Sequence, residues 1–215
     1  MNQPLLSILI CTLPERKKSF AALYAELLSQ DAELCRQNII KHSTIELISD
    51  AKDRGEATIG TKRNWLKESA RSKYIMYLDD DDEISKNFLH LIVEGCMTGK
   101  DIITYDFNYF VDGKYLRTMM MNRFWGKDRP QGENDHCSKH WATTYNPTHR
   151  FTIAESHYHL CAVKKELADQ VQFIDANNAE DVEYSKALIP LIQSEYHIEH
   201  TLLNVNFSTT KTQNV

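Results

Sequence analysis

The sequence predicts an α/β fold in which a mostly parallel sheet is flanked by helices. Apolar runs of strand length alternate with stretches of helical periodicity over much of the 215-residue chain, and this alternation is typical of parallel sheets. An unbroken run of four aspartates, residues 79–82, directly follows one of these strands. Since ligands of such sheets bind at the carboxyl ends of the strands, we expect a polar site there.

Six segments are predicted to be strands. Leu-Leu-Ser-Ile-Leu-Ile-Cys and Lys-Tyr-Ile-Met-Tyr-Leu are continuous apolar runs, which suit central strands covered on both faces. The pair Asp112-Gly113 predicts a hairpin turn after the fourth strand. In chain order, the predicted strands are residues 5–11, 44–49, 73–78, 101–109, 159–163 and 196–207.

Helices are predicted between the strands from apolar spacing and from residues that favour helix ends. Pro14 suits the first turn of the first helix, because its missing N–H costs little there. Ser85 is the predicted N-cap of the third helix. In the second helix, we expect Trp65 and Leu66 to face the core. The second helix is predicted at residues 58–70, and the last two helices are predicted at residues 164–170 and 179–188.

Residues 113–150 differ in composition from the rest of the chain. They carry seven Lys and Arg against three Asp and Glu, together with Phe124, Trp125 and Trp141. Clustered cations and aromatic rings suit contacts with phosphates, bases or sugars. We interpret the segment as an elaborated loop on the acceptor side of one domain that spans residues 1–215.

Composition excludes several classes of protein. The net charge of −5 and 42% apolar residues are ordinary for a globular domain. The five cysteines are scattered, which argues against a disulfide framework and against a CxxC zinc site. No run approaches the roughly 18 apolar residues that span a bilayer, and residues 1–11 lack the basic start of a signal peptide. We therefore expect a cytoplasmic protein with reduced thiols.

The acidic run predicts a metal site. Four adjacent carboxylates repel one another, and a divalent cation removes that repulsion. In an extended segment Asp79 and Asp81 point the same way, so they can share one Mg²⁺ or Mn²⁺ ion with a diphosphate. A solvated acidic turn, or the start of a helix that favours negative charge, is the alternative.

The segment GTKRNWLKESARSKYIMYLDDDDEIS resembles the hallmark of glycosyltransferase family 2 and its GT-A fold. In that family a Gly, an Arg-Asn pair, a helix and an apolar strand lead into Leu-Asp-x-Asp-Asp. Here they correspond to Gly60, Arg63, Asn64 and the strand that ends at Leu78. The opening SILICT is similar to the first strand of the family, and AEDVEY, residues 179–184, resembles its Glu-Asp motif.

The resemblance implies roles for individual residues. Asp79 and Asp81 would hold the metal. Asp50 would lie near the base, although the usual Asp-Asp-Gly-Ser run is Ser-Asp-Ala-Lys here. The residues implied to bind the nucleotide-sugar donor are Thr12, Asp50, Arg63, Asp79 and Asp80. For Arg63, a surface position on an amphipathic helix is the alternative.

The resemblance also implies a catalytic base, Asp181. It would take the proton from an acceptor hydroxyl as that oxygen attacks the anomeric carbon, which inverts the centre. The alternative is that Glu180 and Asp181 are ordinary acidic residues in the first turn of a helix. His197 and His200 are further candidates for reaching the metal, as a late histidine does in some members of this fold.

Together these features predict a metal-dependent inverting glycosyltransferase that uses a nucleoside-diphosphate sugar, in particular a UDP-linked one, with Mn²⁺ or Mg²⁺. The acceptor hydroxyl could belong to a saccharide, a lipid, a protein or, given a resemblance to bacteriophage-type members, a hydroxymethylated pyrimidine in DNA. A phage enzyme would work in the host cytoplasm. A nucleotidyltransferase is the second candidate, but CTLPERKKS lacks its glycine-rich loop. A non-catalytic binding module on the same fold is the third.

Overall fold

The structure, a computed structural model, describes residues 3–52, 55–121, 143–146, 151–154 and 158–207. For the two four-residue segments only the backbone is described. In this part of the chain, no helix is both long enough and apolar enough to cross a membrane.

The described strands form one mixed sheet in which most strands run in the same direction, as predicted. Its order is β2-β1-β3-β9-β5-β6-β8-β7, and β10 pairs with both β5 and β4. The pairs β1–β2, β1–β3 and β5–β10 are parallel, and β9 is antiparallel to both β3 and β5. In chain order, the strands are β1 (Leu6–Cys11), β2 (Ile45–Asp50), β3 (Tyr74–Asp79), β4 (Glu83–Ile84), β5 (Ile102–Val111), β6 (Lys114–Met120), β7 (Thr143–Asn146), β8 (Phe151–Ala154), β9 (Ala162–Lys164) and β10 (Glu195–Phe207).

Helices cover both faces of this sheet. On one face, Tyr77 of β3 lies against Tyr184 of the last helix, with ring centroids 6.4 Å apart. On the other face, Phe88 lies against Tyr105 of β5, with ring centroids 6.0 Å apart. The helices are α1 (Lys17–Arg36), α2 (Ile59–Ser69), α3 (Phe88–Met97), α4 (Lys165–Ala168) and α5 (Glu180–Leu188). The catalytic candidates lie on the face that α2 and α5 cover.

The core lies along β1 and β3, whose apolar runs are buried on both faces as predicted. Leu9 and Met76 are fully buried, and α1 adds Leu23 and Leu27 from one stripe of the helix. Each such side chain contributes about 1.5–3 kcal/mol through burial. These buried central strands therefore support the loops at their carboxyl ends.

The prediction that Trp65 faces the core is wrong. Helix α2 buries the stripe that contains Arg63, Leu66 and Lys67, and Trp65 lies at its edge with 38% of its surface exposed. The ammonium of Lys52 lies 3.7 Å from the centre of its ring. The charged side chains of Arg63 and Lys67 thus face inward, whereas the apolar pattern of the helix predicted that the tryptophan would.

Two predicted element ends also differ from the structure. Ser85 is not the N-cap of α3: the helix begins at Phe88 after Asn87, without a side-chain cap. The backbone N–H of Ser85 donates instead to Leu202 of β10, which keeps residue 85 in line with β4. The strand predicted at residues 159–163 begins later, because Tyr158–Leu160 form a 3₁₀ turn before β9.

The hairpin predicted at Asp112-Gly113 is confirmed. Both residues have positive φ, 49° and 74°, as the tight turns that favour Asp-Gly require, and β5 continues through them into antiparallel β6. Part of residues 113–150 therefore extends the sheet as β6 and β7, where we expected a loop. Phe124, Trp125 and Trp141 lie outside the described residues.

Candidate active site

The carboxyl ends of three neighbouring parallel strands lie in one row. Cys11 at the end of β1 pairs with Asp50 of β2 on one side and with Asp79 of β3 on the other. The backbone N–H of Thr12 donates to the carbonyl oxygen of Asp50 over 2.9 Å. The structure therefore gathers Thr12, Asp50 and Asp79 at one edge, where ligands of parallel sheets bind.

The four aspartates form a tight turn, which we call the aspartate turn (residues 79–82). Strand β3 ends at Asp79, and the N–H of Asp82 donates back to the carbonyl oxygen of Asp79 over 3.1 Å. The extended geometry from which we argued for Asp79 and Asp81 is therefore absent from this turn. Asp80 and Asp82 are buried, whereas the side chains of Asp79 and Asp81 are 36% and 22% exposed.

Asp80 joins the aspartate turn to the loop after β1. Its two carboxylate oxygens accept hydrogen bonds from the hydroxyl of Thr12 and from the guanidinium of Arg16, both over 2.7 Å. Arg16 also lies 3.3 Å from a carboxylate oxygen of Asp81. Arg16 is not among the site residues predicted from the sequence, although CTLPERKKS shows cations just after a strand end.

Arg63 joins the aspartate turn to α5. Its guanidinium donates to Glu180 over 2.7 Å and to Asp79 over 3.1 Å, and the residue is only 3% exposed. The surface position that we kept as an alternative for Arg63 is therefore wrong. The sequence places Glu180 in the Glu-Asp motif, and its ion pair with Arg63 is a contact that sequence reasoning missed.

The carboxyl groups around Arg63 carry perturbed pKa values. Burial raises the pKa of Asp79, Arg63 opposes that rise, and Asp81 adds to it. Burial likewise raises the pKa of Glu180, with Arg63 opposing and Asp181 adding. Like charges held this close favour a cation between them.

The exposed carboxylates of the aspartate turn fit a hard divalent cation. Asp79 and Asp81 offer oxygen donors, and Mg²⁺ is commonly bound by one or two carboxylates with substrate phosphates. Among the described residues, no group of three or more His, Cys, Asp or Glu side chains is arranged to hold a metal ion. Each of these two carboxylates is a ligand of the kind that a metal uses when it shares its coordination with a bound diphosphate.

Asp181 lies in the first turn of α5, directly after Glu180. One of its carboxylate oxygens accepts from the N–H of Val182 over 2.8 Å. Its charge contributes to raising the pKa of both Asp79 and Glu180, so the base candidate belongs to the same group of carboxylates as the metal candidate.

The two late histidines lie on β10. Nδ1 of His197 is 3.0 Å from the hydroxyl of Thr104, and Nε2 is 3.5 Å from a carboxylate oxygen of Asp106. His200 is exposed, in the irregular stretch between Ile198 and Thr201. In the described part of the chain, neither histidine is among the groups that contact the aspartate turn.

Comparisons with known proteins agree with this geometry. The model of the family described as "Glycosyl transferase family 2" matches residues 36–171. A crystal structure of S. aureus TarS 1-349 superposes with a TM-score of 0.55 at 13% identity, over 94% of this chain and 60% of that one. The same fragment in complex with UDP-GlcNAc gives 0.55 at 12% identity, over 94% and 58%.

At these identities the TarS structures show a shared fold, and the chain spans about 60% of their length. A comparison with curated protein sequences finds no match. The family match covers more than half of the chain and includes the Arg-Asn pair and the aspartate turn. The chain therefore belongs to glycosyl transferase family 2 and has the GT-A fold.

Proposed function

We propose that this domain transfers a sugar from a UDP-linked donor to an acceptor hydroxyl, with inversion at the anomeric carbon. The observation that carries the proposal is the bridge from Asp79 through Arg63 to Glu180, the neighbour of Asp181. It brings the donor end of the parallel sheet and the candidate base into one group. The UDP-GlcNAc complex of TarS supports a UDP-sugar as donor.

The nucleotide would lie along the row of strand ends. Asp50 and Asp79 flank Cys11 in that row, and we assign Asp50 to the base and Asp79 to the ribose and metal side. Thr12 and Asp80 bond to each other, so both support the floor of the donor site.

Asp79 and Asp81 would hold Mn²⁺ or Mg²⁺. When bound there, the ion supplies Lewis-acid neutralisation of the charge on the leaving diphosphate. Arg16, 3.3 Å from Asp81, adds a fixed positive charge beside this position.

Asp181 would accept the proton of the acceptor hydroxyl while that oxygen forms the new bond. Positioned bases contribute about 10² to 10⁴ in rate. Direct displacement by the hydroxyl inverts the anomeric carbon. A saccharide, lipid or protein hydroxyl and a hydroxymethylated pyrimidine in DNA all supply the required group, and residues 113–150 are the segment that we assign to the acceptor.

Thermal unfolding with UDP-sugars, with and without Mn²⁺, tests the donor and the metal together. A ligand at about 100 times its Kd adds about 2.7 kcal/mol of stability. We expect this gain only with Mn²⁺ or Mg²⁺ present, and we expect its loss in Asp81→Ala. Glu68→Gln, an exposed carboxylate on α2, is the matched control that keeps the gain.

Turnover tests the chemistry. With a UDP-sugar and an acceptor, UDP should be released and excess EDTA should stop its release. Full turnover in EDTA would remove the metal from the proposal. Release of a sugar 1-phosphate in place of UDP, with the uridylyl group transferred to the acceptor, would favour nucleotidyl transfer instead.

A further inference from the structure

We infer that Arg63 is a positioning residue that sets the place of the base helix α5 relative to the aspartate turn, and that it does not contact the donor. The inference rests on the proposed function for the role of Asp181. It gives the Arg-Asn pair of α2 the role of holding α5 in place, and this role can be measured separately from donor binding.

The guanidinium of Arg63 bridges two carboxylates within the protein. One nitrogen donates to Glu180 over 2.7 Å and the other to Asp79 over 3.1 Å. With 3% of the residue exposed, little surface is left for a nucleotide. A planar fork held by carboxylates on two different elements fixes the distance between those elements.

Two aromatic rings lie next to the guanidinium. Its central carbon is 5.4 Å from the ring centre of Phe173 and 6.0 Å from that of Tyr77. The ring of Phe173 is stacked on Tyr184 of α5, with centroids 4.0 Å apart and planes within 3°. Arg63 therefore lies at a packed junction with α5, where a cation over aromatic faces is stabilised.

Helix α2 also forms hydrogen bonds with the segment that leads into α5. The side-chain amide of Asn64 donates to the carbonyl oxygen of Phe173 over 2.9 Å and accepts from its N–H over 3.0 Å. The N–H of Gly60 donates to Ala176 over 3.1 Å. A Cβ at Gly60 would lie 1.9 Å from the carbonyl oxygen of Ile174, so this approach requires glycine.

The start of α2 forms further hydrogen bonds with the same segment. The hydroxyls of Thr58 and Thr61 both donate to one carboxylate oxygen of Asp175, over 2.6 and 2.7 Å. Asn177 accepts from the N–H of Ile59 over 3.0 Å. Together with the Gly60 and Asn64 contacts, these bonds run from residue 173 to residue 177, directly before the base helix.

Charge explains why an arginine is needed between the aspartate turn and α5. Asp79, Glu180 and Asp181 all act electrostatically on Arg63, so one guanidinium faces three carboxylates. Without it, the carboxylates on β3 and α5 would face each other without a cation between them, which disfavours the close approach of the two elements. A displacement of about 1 Å at a catalytic group can cost about 10²-fold in rate.

Kinetics and binding of Arg63→Lys and Glu180→Gln test the inference. We expect kcat to fall about 10²-fold in each variant, while the Kd for UDP in the presence of Mn²⁺, measured by calorimetry, stays within about threefold. The double variant should lose no more than either single one, because both remove the same bridge. If Arg63→Lys fails to fold, Glu180→Gln alone carries the test.

Lys67 supplies the matched control on the same helix. It is a buried cation whose ammonium donates to the carbonyl oxygens of Ala168 and Val171. Lys67→Met should lower the unfolding temperature and leave kcat of the folded fraction within about threefold. A tenfold rise of the UDP Kd in Arg63→Lys with unchanged kcat would instead make Arg63 a donor contact and overturn the inference.

Amide hydrogen exchange separates this inference from the proposed function. If the wild-type protein transfers no sugar, the proposed function fails, but exchange in α5 still reports on the bridge. We expect α5 to exchange faster in Arg63→Lys and Glu180→Gln than in the wild type, with α1 unchanged. Unchanged exchange in α5 would overturn the inference whether or not the protein is active.

Discussion

Two aspartates at the same height of the sheet differ in what surrounds them. Val163 of β9 pairs with Ile75 of β3 and with Ile102 of β5, so Asp79 and Asp106, each four residues further on, share one level and one face. Asp79 meets the guanidinium of Arg63 at 3.1 Å, whereas Asp106 meets the imidazole of His197 at 3.5 Å.

The partners give the two carboxyl groups different chemistry. Burial raises the pKa of Asp106 to about 7, and Glu199 adds to the rise. Burial lowers the pKa of His197, so the pair tends to hold its proton on the carboxyl group. At Asp79, Arg63 opposes the effect of burial. The comparison teaches that the partner, and not the position in the sheet, distinguishes the two carboxyl groups: the guanidinium of Arg63 opposes the rise in the pKa of Asp79, whereas an imidazole of lowered pKa lies beside Asp106.

The largest effect is expected from replacing one carboxylate near Arg63 and comparing it with the replacement of Asp106 on the β5–β10 side. Asp181→Asn keeps the shape of the side chain and removes its basicity, so we expect kcat to fall by at least about 10² with near-normal donor and metal binding. Asp106→Asn is the matched control and should stay within about threefold of the wild-type kcat.

A wild-type rate in Asp181→Asn would remove Asp181 as the base, and Glu180 would be tested next. A 10²-fold loss of kcat in Asp106→Asn would show that the β5–β10 side shares the chemistry, and the contrast between the two aspartates would fail.

The pH dependence of stability is the second test. Because the pKa of Asp106 is about 7 in the folded protein and near 3.9 when unfolded, the folded state binds the extra proton between these values. Its contribution is therefore present below about pH 4 and is lost as the pH rises through about 7. A shift of this size corresponds to about 4 kcal/mol at most.

Urea unfolding between pH 4 and pH 8 measures this contribution. Asp106→Asn should flatten the fall in stability and should be more stable than the wild type at pH 8. The difference between the two curves reports on Asp106 together with His197, which lies 3.5 Å from it, and removes the contribution of distant titrating groups. Parallel curves for the two proteins would mean that Asp106 is ionised throughout this range.

Two glycines in described helices, Gly60 of α2 and Gly95 of α3, give the third and smallest test, one in each region. A Cβ at Gly60 would meet a backbone carbonyl oxygen at 1.9 Å, whereas at Gly95 it would meet the Ile103 side chain at 2.4 Å. Overpacking costs about 1–3 kcal/mol. We expect Gly60→Ala near the top of that range with a reduced kcat, and Gly95→Ala near the bottom with kcat unchanged, since a side chain can rotate away.

Unfolding free energies and kcat of the two variants check this directly. Equal losses of stability together with equal kcat values would contradict the idea that α2 positions the base helix while α3 only packs against the sheet.

Much of the fold could be predicted because it depends on local patterns. The apolar runs of β1 and β3 predicted buried strands, and Asp112-Gly113 predicted a turn with positive φ. The predictions for Trp65 and Ser85 failed because each assumed that local preference decides. Arg63 and Lys67 take inward positions on α2 for polar partners far along the chain, and β10 binds Ser85.

The sequence by itself determined the kinds of chemistry available to this protein: four carboxylates at a strand end, a Glu-Asp pair far along the chain and an Arg-Asn pair on α2. Only the tertiary structure decided which of them meet. Arg63 and Glu180 are 117 residues apart, and no local pattern encodes a contact at that separation. The turn after β3 likewise directs Asp80 inward and leaves Asp79 and Asp81 accessible, because buried carboxylates must find donors and those donors come from other elements of the fold.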